Sequence, residues 1–404
     1  MINILEESGE NVEFIFHVSD IHIRLYTRHL EYTKVFSKLY NCISEFKREG
    51  KCCVCVITGD ILHSKTDLSP ELEKMTCDFF SNLSVLFPTF LIAGNHDGLI
   101  HNPDRIDSIS SILYERDIQN CYYLKKTGIY QFRNLRFFLD ALFDKDVLDM
   151  TTEGVETMTR GYKNIGLYHG QIRGWRNLKG YVSSTGEKYL EQFTGMDYVL
   201  LGDIHYFHYI SREKPITAYA SSLISQNFNE YDKSHGYLLW NVMDDTQEYI
   251  VIENEYRHQI VEISDENRFI TDGCEFDFDH VEIASCGKIK VIGNEDEISS
   301  REHFLRLKHK FPDACFSYQM KQGQTQVHSL ENDEEDTEEI IMSEYDIILS
   351  YIKSKCSSEY YKEFSKYVLN LFKENQPISN NIQYKLKEIS FSNMFGYGGE
   401  NYIN

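Results

Sequence analysis

The chain of 404 residues is too long for one compact core and implies two or three domains. Its composition, 42% hydrophobic and 26% charged, is that of a globular protein, and it contains no run of about 18 apolar residues, so no transmembrane helix is expected. A formal net charge of −22 argues against binding DNA by bulk attraction, although seven acidic residues in positions 331–339 (ENDEEDTEE) concentrate part of that charge.

The N-terminus, MINILEESGENVEF, is acidic and lacks the basic-then-apolar layout of a signal peptide. Residues 13–18 (EFIFHV) predict a strand. Residues 31–46 predict a helix, with Val35, Phe36, Leu39, Ile43 and Phe46 at helical spacing. A second strand follows over 52–58, where Cys52, Cys53 and Cys55 read as small buried hydrophobes. The ten cysteines show no paired zinc-type spacing, which fits a reducing cytosol or nucleus and an intracellular protein.

A helix over 70–86 and a strand over 89–93 come next, then a helical stretch over 104–115. Short strands are expected near 122–124, 135–139, 164–168 and 198–201. This alternation is the signature of an α/β layered fold. From about 216 the pattern becomes strand-rich, with HGYLLWNV and EYIVIEN as sheet segments. Residues 1–256 are therefore taken as a first domain and 257–330 as a smaller α+β domain. The acidic run 331–339 reads as a solvated linker. Within 340–376, residues 340–353 and 358–373 predict a helical hairpin, which QPISNN then breaks.

Five polar motifs each follow an apolar strand: Asp20-Ile21-His22, Gly59-Asp60-Ile61-Leu62-His63, Gly94-Asn95-His96-Asp97, Tyr168-His169-Gly170 and Gly202-Asp203-Ile204-His205. In open α/β sheets the loops at the carboxyl ends of strands converge on one crevice. Asp20 and His22 are two apart, so an extended backbone points both to one side, and the same holds for Asp203 and His205. Carboxylate, imidazole and amide donors together suit Mn²⁺, Fe²⁺ or Zn²⁺ better than Ca²⁺. His17, inside a strand, reads as a packed residue.

These motifs resemble the calcineurin-like metallophosphoesterase set, and in detail the Mre-eleven (SbcD) DNA nuclease branch. The details are HVSDIH, the helix EYTKVFSKLY, and GDILHSKTDLSPE with a histidine three residues after its aspartate. ASSLISQNFNE followed by KSHGYLLW resembles that family's lead into a capping domain. The resemblance spans roughly residues 12–265 well and 266–330 loosely. It implies an α/β fold, a layered β-sandwich flanked by helices, with a smaller α+β capping domain over 257–330.

The resemblance assigns one divalent ion to Asp20, His22, Asp60 and His205, and a second to Asp60, Asn95, His169 and Asp203, with Asp60 bridging. It implies Mn²⁺ as the ion. Two ions about 3.5–4 Å apart clamp the attacking and leaving oxygens of an in-line displacement. His96 then stabilises the transition state or protonates the leaving oxygen, Asp97 orients the His96 ring, and His63 faces substrate; a plain surface histidine at a turn is the other reading of His63. The family carries histidine where this chain has Asp203, which is either a ligand or an acceptor behind one.

Beside these motifs, Arg24 and Arg28 are placed to meet phosphate. The loop QIRGWRNLK offers Arg173, Trp175, Arg176 and Lys179 for phosphates and an unpaired base, or is a solvated loop anchored by one tryptophan. The tail 382–404 (YKLKEISFSNMFGYGGENYIN from Tyr384) resembles the opening strand of the Rad-fifty (SbcC) ATPase, with a plain β-hairpin as the alternative.

The function implied is a two-metal DNA nuclease, exonucleolytic on double-stranded ends and endonucleolytic on single strands, in double-strand-break repair and recombination. An SbcC-like ATPase, separate or fused, is the expected regulator, docking on the helical hairpin unless that hairpin packs back on its own core. A homodimer is expected by analogy, and no membrane. The rival readings are a phosphoesterase for small nucleotides or phosphoprotein, and a non-catalytic scaffold of the same fold.

Overall fold

Alternation within single strands sets the layers. In β3 (Cys53–Thr58) Cys53, Cys55 and Ile57 pack on one side and Val54 and Val56 on the other, and all six residues are buried. A strand covered on both faces requires this continuous apolar run. The cysteines fill space there, and burial pushes the Cys55 thiol up to about 12. The computed structural model describes residues 2–102, 105–114, 116–146, 148, 161–174, 186–230, 234–264, 268–293, 297–320, 389–392 and 400–403.

β3 lies in a six-stranded sheet ordered β13 (Thr246–Val251), β12 (Gly236–Asn241), β2 (Phe14–Val18), β3, β4 (Thr89–Ile92), β5 (Cys121–Tyr123). Strands β2 to β5 run parallel. A seven-stranded sheet faces it, ordered β1 (Ile2–Glu6), β6 (Gly128–Phe132), β7 (Leu135–Leu139), β8 (Lys163–His169), β9 (Tyr198–Gly202), β11 (Ile216–Tyr219), β10 (His208–Ser211). Phe90 and Trp240 from the first sheet meet Phe132, Phe137 and Leu200 from the second in one apolar layer.

Helices α1 (His29–Arg48), α2 (Pro70–Leu86) and α3 (Ser108–Leu113) cover the outer face of the six-stranded sheet. Their buried stripe includes Tyr32, Val35, Leu39, Phe79, Leu83 and Ile109. The start of α2 is written in its sequence: Ser69 caps it by accepting from Leu72 N at 3.2 Å, and Pro70 follows at the first helical position. Among the described residues of the helix expected over 104–115, α3 starts at Ser108 because Asp107 caps it, accepting from Ser110 N at 2.7 Å. Strand β1, which the sequence reading left unassigned, pairs in parallel with β6 at the sheet edge. The result is a layered α/β sandwich flanked by helices.

A third, five-stranded sheet follows, ordered β16 (Cys274–Asp277), β15 (Arg268–Thr271), β14 (His258–Ile263), β17 (Lys288–Gly293), β18 (Cys315–Met320). With α4 (Glu297–Lys310) it closes a separate apolar cluster around Val261, Phe269, Ile289, Val291 and Leu307. The strap 221–230 ties into this sheet. Ser225 Oγ accepts from His258 N at 3.1 Å, and the Phe228 ring lies 4.9 Å from the His258 ring and 4.5 Å from Lys290 Nζ.

Residues Val327–Asn404 make a second unit. Its described part is the antiparallel pair β19 (Ile389–Ser392) and β20 (Glu400–Ile403). The acidic linker and the helical hairpin expected over 340–376 lie outside the described residues. Among the described residues no helix is long and apolar enough to cross a membrane.

Candidate metal centre

Five strands, β2, β3 and β4 of one sheet and β8 and β9 of the other, end at the same rim of the sandwich. The loops are stitched by backbone bonds: Asp20 N donates to Gly59 O at 3.1 Å, His22 N to Asp60 O at 2.9 Å, and His63 N to Ile23 O at 3.1 Å. Two glycines let the sheets close on each other. A Cβ at Gly202 would stand 2.1 Å from Thr58 O, and one at Gly94 would stand 2.1 Å from Asp60 Oδ1. Asp20 (φ 49°), His22 (49°), Asp60 (51°) and Asp203 (97°) all adopt left-handed backbone, a cost that the surrounding fold sustains.

Asp60 stands at the middle. Its Oδ2 lies 3.4 Å from His22 Nε2 and its Oδ1 3.3 Å from His169 Nε2. On the His22 side, His205 Nε2 comes within 3.1 Å of His22 Nε2, and Asp20 Oδ1 is 4.0 Å from His205 Nε2. On the other side, Asp203 Oδ1 is 4.0 Å from His169 Nε2. Asn95 turns one end of its amide to His169 Nε2 (3.0 Å) and to the two Asp60 oxygens (3.3 and 3.2 Å). With nitrogen there it donates to all three; with oxygen there it faces only acceptors, an arrangement that a cation resolves.

The outer ring nitrogens are held. His169 Nδ1 bonds Thr58 O at 2.7 Å and His205 Nδ1 bonds Glu230 at 2.8 Å, so each ring turns Nε2 inward. Lone pairs and carboxylates thus converge, with Asp60 standing between His22 and His169, and this donor set fits a pair of divalent ions. The groups Asp20–His22–His205 and Asp20–Asp60–His169 each bring their ligand atoms within 4.8 Å of one another, as do His22, His63 and His96.

The electrostatics follow from burying so many charges together. Burial would raise the Asp60 carboxyl, but His169 and His22 beside it hold it well below the usual range. Burial pushes Asp20 up to about 6. Burial disfavours a charged His205, yet the hydrogen bond and charge of Glu230 carry it up to about 9. Burial holds His22 well below its ordinary value. Burial and then Arg24 lower His63 to about 4.

Two expected roles are corrected. Asp97 does not orient the His96 ring. Its buried carboxylate accepts from Ile61 N and Leu62 N, both at 3.0 Å, and from Gly94 N at 2.8 Å, locking two motif loops together. The His96 ring is instead held through Nδ1 by His63 O at 2.8 Å. Arg28 is not free for phosphate. Its guanidinium donates to Glu31 at 2.7 and 2.8 Å and to Ser225 O at 2.7 Å, because Arg28 is the N-cap residue of α1 and Glu31 lies three residues on in its first turn.

Arg24 is half-buried near His63. Arg173 is exposed and donates to Gly186 O and Tyr189 Oη. Trp175, Arg176 and Lys179 lie outside the described residues. His17 packs in the core against Thr58 Oγ1 at 2.9 Å. Sequence reasoning gave no role to Glu230, which ends the segment ASSLISQNFNE in a short turn outside the five polar motifs.

Residues 15–207 match the family model described as calcineurin-like phosphoesterase. The chain is 37% identical over 270 residues to "Uncharacterized protein R555" of Acanthamoeba polyphaga mimivirus, an alignment covering 65% of this chain and 20% of that protein. The chain thus spans about a fifth of that relative's length. Among solved structures, hypothetical protein PH1004 from Pyrococcus horikoshii OT3 is similar at 12% identity and a TM-score of 0.30, over 60% of this chain and 88% of that one. A likeness that loose says nothing about function.

Proposed function

We propose that the calcineurin-like phosphoesterase domain carried by residues 15–207 makes this chain a metal-dependent nuclease hydrolysing phosphodiester bonds of DNA. The observation behind the metal chemistry is the division of Asp60 between His22 (3.4 Å) and His169 (3.3 Å), one carboxylate serving two donor groups. When bound, a pair of divalent ions, expected to be Mn²⁺, supplies charge neutralisation at phosphorus and acidifies water.

The chain's own residues do the rest. Asp20, His22, Asp60 and His205 would hold one ion, and Asp60, Asn95, His169 and Asp203 the other. Asp97 keeps the Asp60 and Asn95 loops in register from behind. His96, fixed through Nδ1, keeps Nε2 for the substrate and passes a proton to the leaving oxygen. His63 stands beside it, the two rings stacked with centroids 5.8 Å apart, and Arg24 adds positive charge for a neighbouring phosphate.

DNA as substrate rests on the resemblance of HVSDIH, GDILHSKTDLSPE and ASSLISQNFNE to Mre-eleven/SbcD nucleases, and on a third sheet following the site. The same resemblance supports double-strand-break processing, a homodimer and an SbcC-like ATPase partner, in trans or fused. Manganese-loaded protein is expected to degrade linear duplex ends and nick single-stranded hairpin loops, and His96→Ala to abolish both. Hydrolysis confined to para-nitrophenyl phosphates would favour small-nucleotide or phosphoprotein chemistry. No hydrolysis of either would leave a scaffold.

A further inference from the structure

We propose that Glu230 is a positioning residue for the ion held by His205, an inference that rests on the metal-centre reading above and is independent of DNA as substrate. Glu230 ends the short 3-10 turn Phe228–Glu230 and is 8% exposed. Its Oε1 stands 2.8 Å from His205 Nδ1 and 3.2 Å from Asn227 Nδ2, and its Oε2 accepts from Gln226 N at 2.7 Å. The carboxylate is thus clamped by its own turn and has one oxygen directed at the imidazole.

A histidine that binds a cation through Nε2 must keep its proton on Nδ1, and an acceptor at Nδ1 selects that tautomer and fixes the ring plane. The rings of the site differ in what supplies this acceptor. His169 has a neutral main-chain oxygen, Thr58 O, whereas His205 has a full negative charge. His22 Nδ1 is buried without a hydrogen-bond partner among the described residues. A carboxylate makes the imidazole a stronger donor than a carbonyl does, so the His205 side is the one that Glu230 tightens.

Glu230 also comes from outside the five motif loops. It belongs to the strap 221–230, which Ser225 and Phe228 pin to β14 and β17 of the third sheet. One ion's ligand is therefore oriented by the segment that leads into the following sheet domain, and the other's by the sandwich itself.

The test is a calorimetric titration of chelator-treated protein with Mn²⁺, with free manganese followed by electron paramagnetic resonance. Wild type is expected to take up two ions. Glu230→Ala should weaken one of them by about ten- to a hundredfold and leave the other within about twofold. Glu230→Gln, whose amide oxygen accepts from Nδ1 in the same place but without the charge, should recover part of that loss. Glu230→Asp, which keeps the charge but withdraws it from His205, should lose affinity at the same ion and serves if the alanine variant does not fold.

Unchanged affinities in both Glu230→Ala and Glu230→Asp, or an equal loss at both ions in every variant, would overturn the assignment of Glu230. Wild type that binds no pair of ions would instead sink the metal-centre reading itself.

Discussion

The His96 ring stands with Nδ1 2.8 Å from the main-chain oxygen of His63, so one motif loop aims the side chain of another. The acceptor is backbone, and changing the His63 side chain leaves it in place. His96→Ala should therefore lower turnover by roughly 10²–10⁴-fold, the usual worth of a general acid, while two ions still bind. His63→Ala should keep the His96 orientation and cost far less. Steady-state rates beside manganese titrations separate the two, and equal losses in both variants would contradict this division of labour.

Removing metal should destabilise the fold. Asp20, Asp60 and Asp203 crowd one rim, and burial already pushes Asp20 up to about 6. Ions that bind the folded state alone stabilise by mass action, about 2.7 kcal/mol for a site at one hundred times its Kd. Adding Mn²⁺ to chelated protein should raise Tm by several degrees in calorimetry. Asp60→Ala should abolish most of that rise, because both donor groups share this carboxylate.

Much of this candidate site was legible in the sequence because the side chains that converge there follow strands whose apolar runs announce them. β2, β3, β4, β8 and β9 each end where a polar motif begins, and sheet topology does the rest. Roles that depend on where a loop side chain turns were not legible. Asp97 follows His96 in sequence, yet its carboxylate turns back to three backbone amides. Arg28 read as a free cation, although Glu31 at i+3 was a visible partner. Glu230 ends the segment ASSLISQNFNE, yet nothing in that segment marks His205 as its partner, which lies 25 residues earlier and is joined to it only by the strap's path. β1 escaped notice because an edge strand with a half-exposed pattern carries little periodicity.

Gly202→Ala should be among the most damaging single changes to the centre. A methyl there would meet Thr58 O at 2.1 Å and His169 Nδ1 at 2.7 Å, neither of which has room to withdraw. Overpacking of this kind costs about 3 kcal/mol, and relief here requires the two sheets to part at the metal rim. Loss of both ions together with a lowered urea midpoint is the expected result. A variant that binds manganese normally would show the rim to be looser than this packing implies.

Stability should fall as pH drops below neutrality, and His258 is one source. It is buried where the strap meets β14, and burial, then the charges of Arg28 and Lys288, lower it from 6.5 to about 2. The folded state keeps it neutral while the unfolded chain protonates it below 6.5, so stability is full above that value and declines from there down towards 2. The slope is about 1.4 kcal/mol per pH unit, hence about 2 kcal/mol between pH 6.5 and 5. Urea midpoints at pH 7 and pH 5 measure it. His258→Gln should flatten the dependence, and an unchanged slope would place the acid sensitivity elsewhere.

Asp203 is the position where this chain departs from the histidine carried by the nucleases that its motifs resemble, and the structure says which substitution tests it. Its backbone amide donates to Asp20 at 3.0 Å while its side chain reaches toward His169, so the residue joins both donor groups. Asp203→His restores the residue of the resembled family at a left-handed position (φ 97°) and so changes the donor as well as the charge. Asp203→Asn keeps the backbone and an oxygen donor and removes only the charge. Three carboxylates against two divalent ions leave a net charge of about +1, and the asparagine raises it to about +2. The variant should release the ion beside His169 about tenfold more readily and, at saturating Mn²⁺, draw an anionic phosphate more strongly, lowering KM. If affinity at that ion and KM both stay at wild-type values, Asp203 serves only as a hydrogen-bonding prop for Asp20.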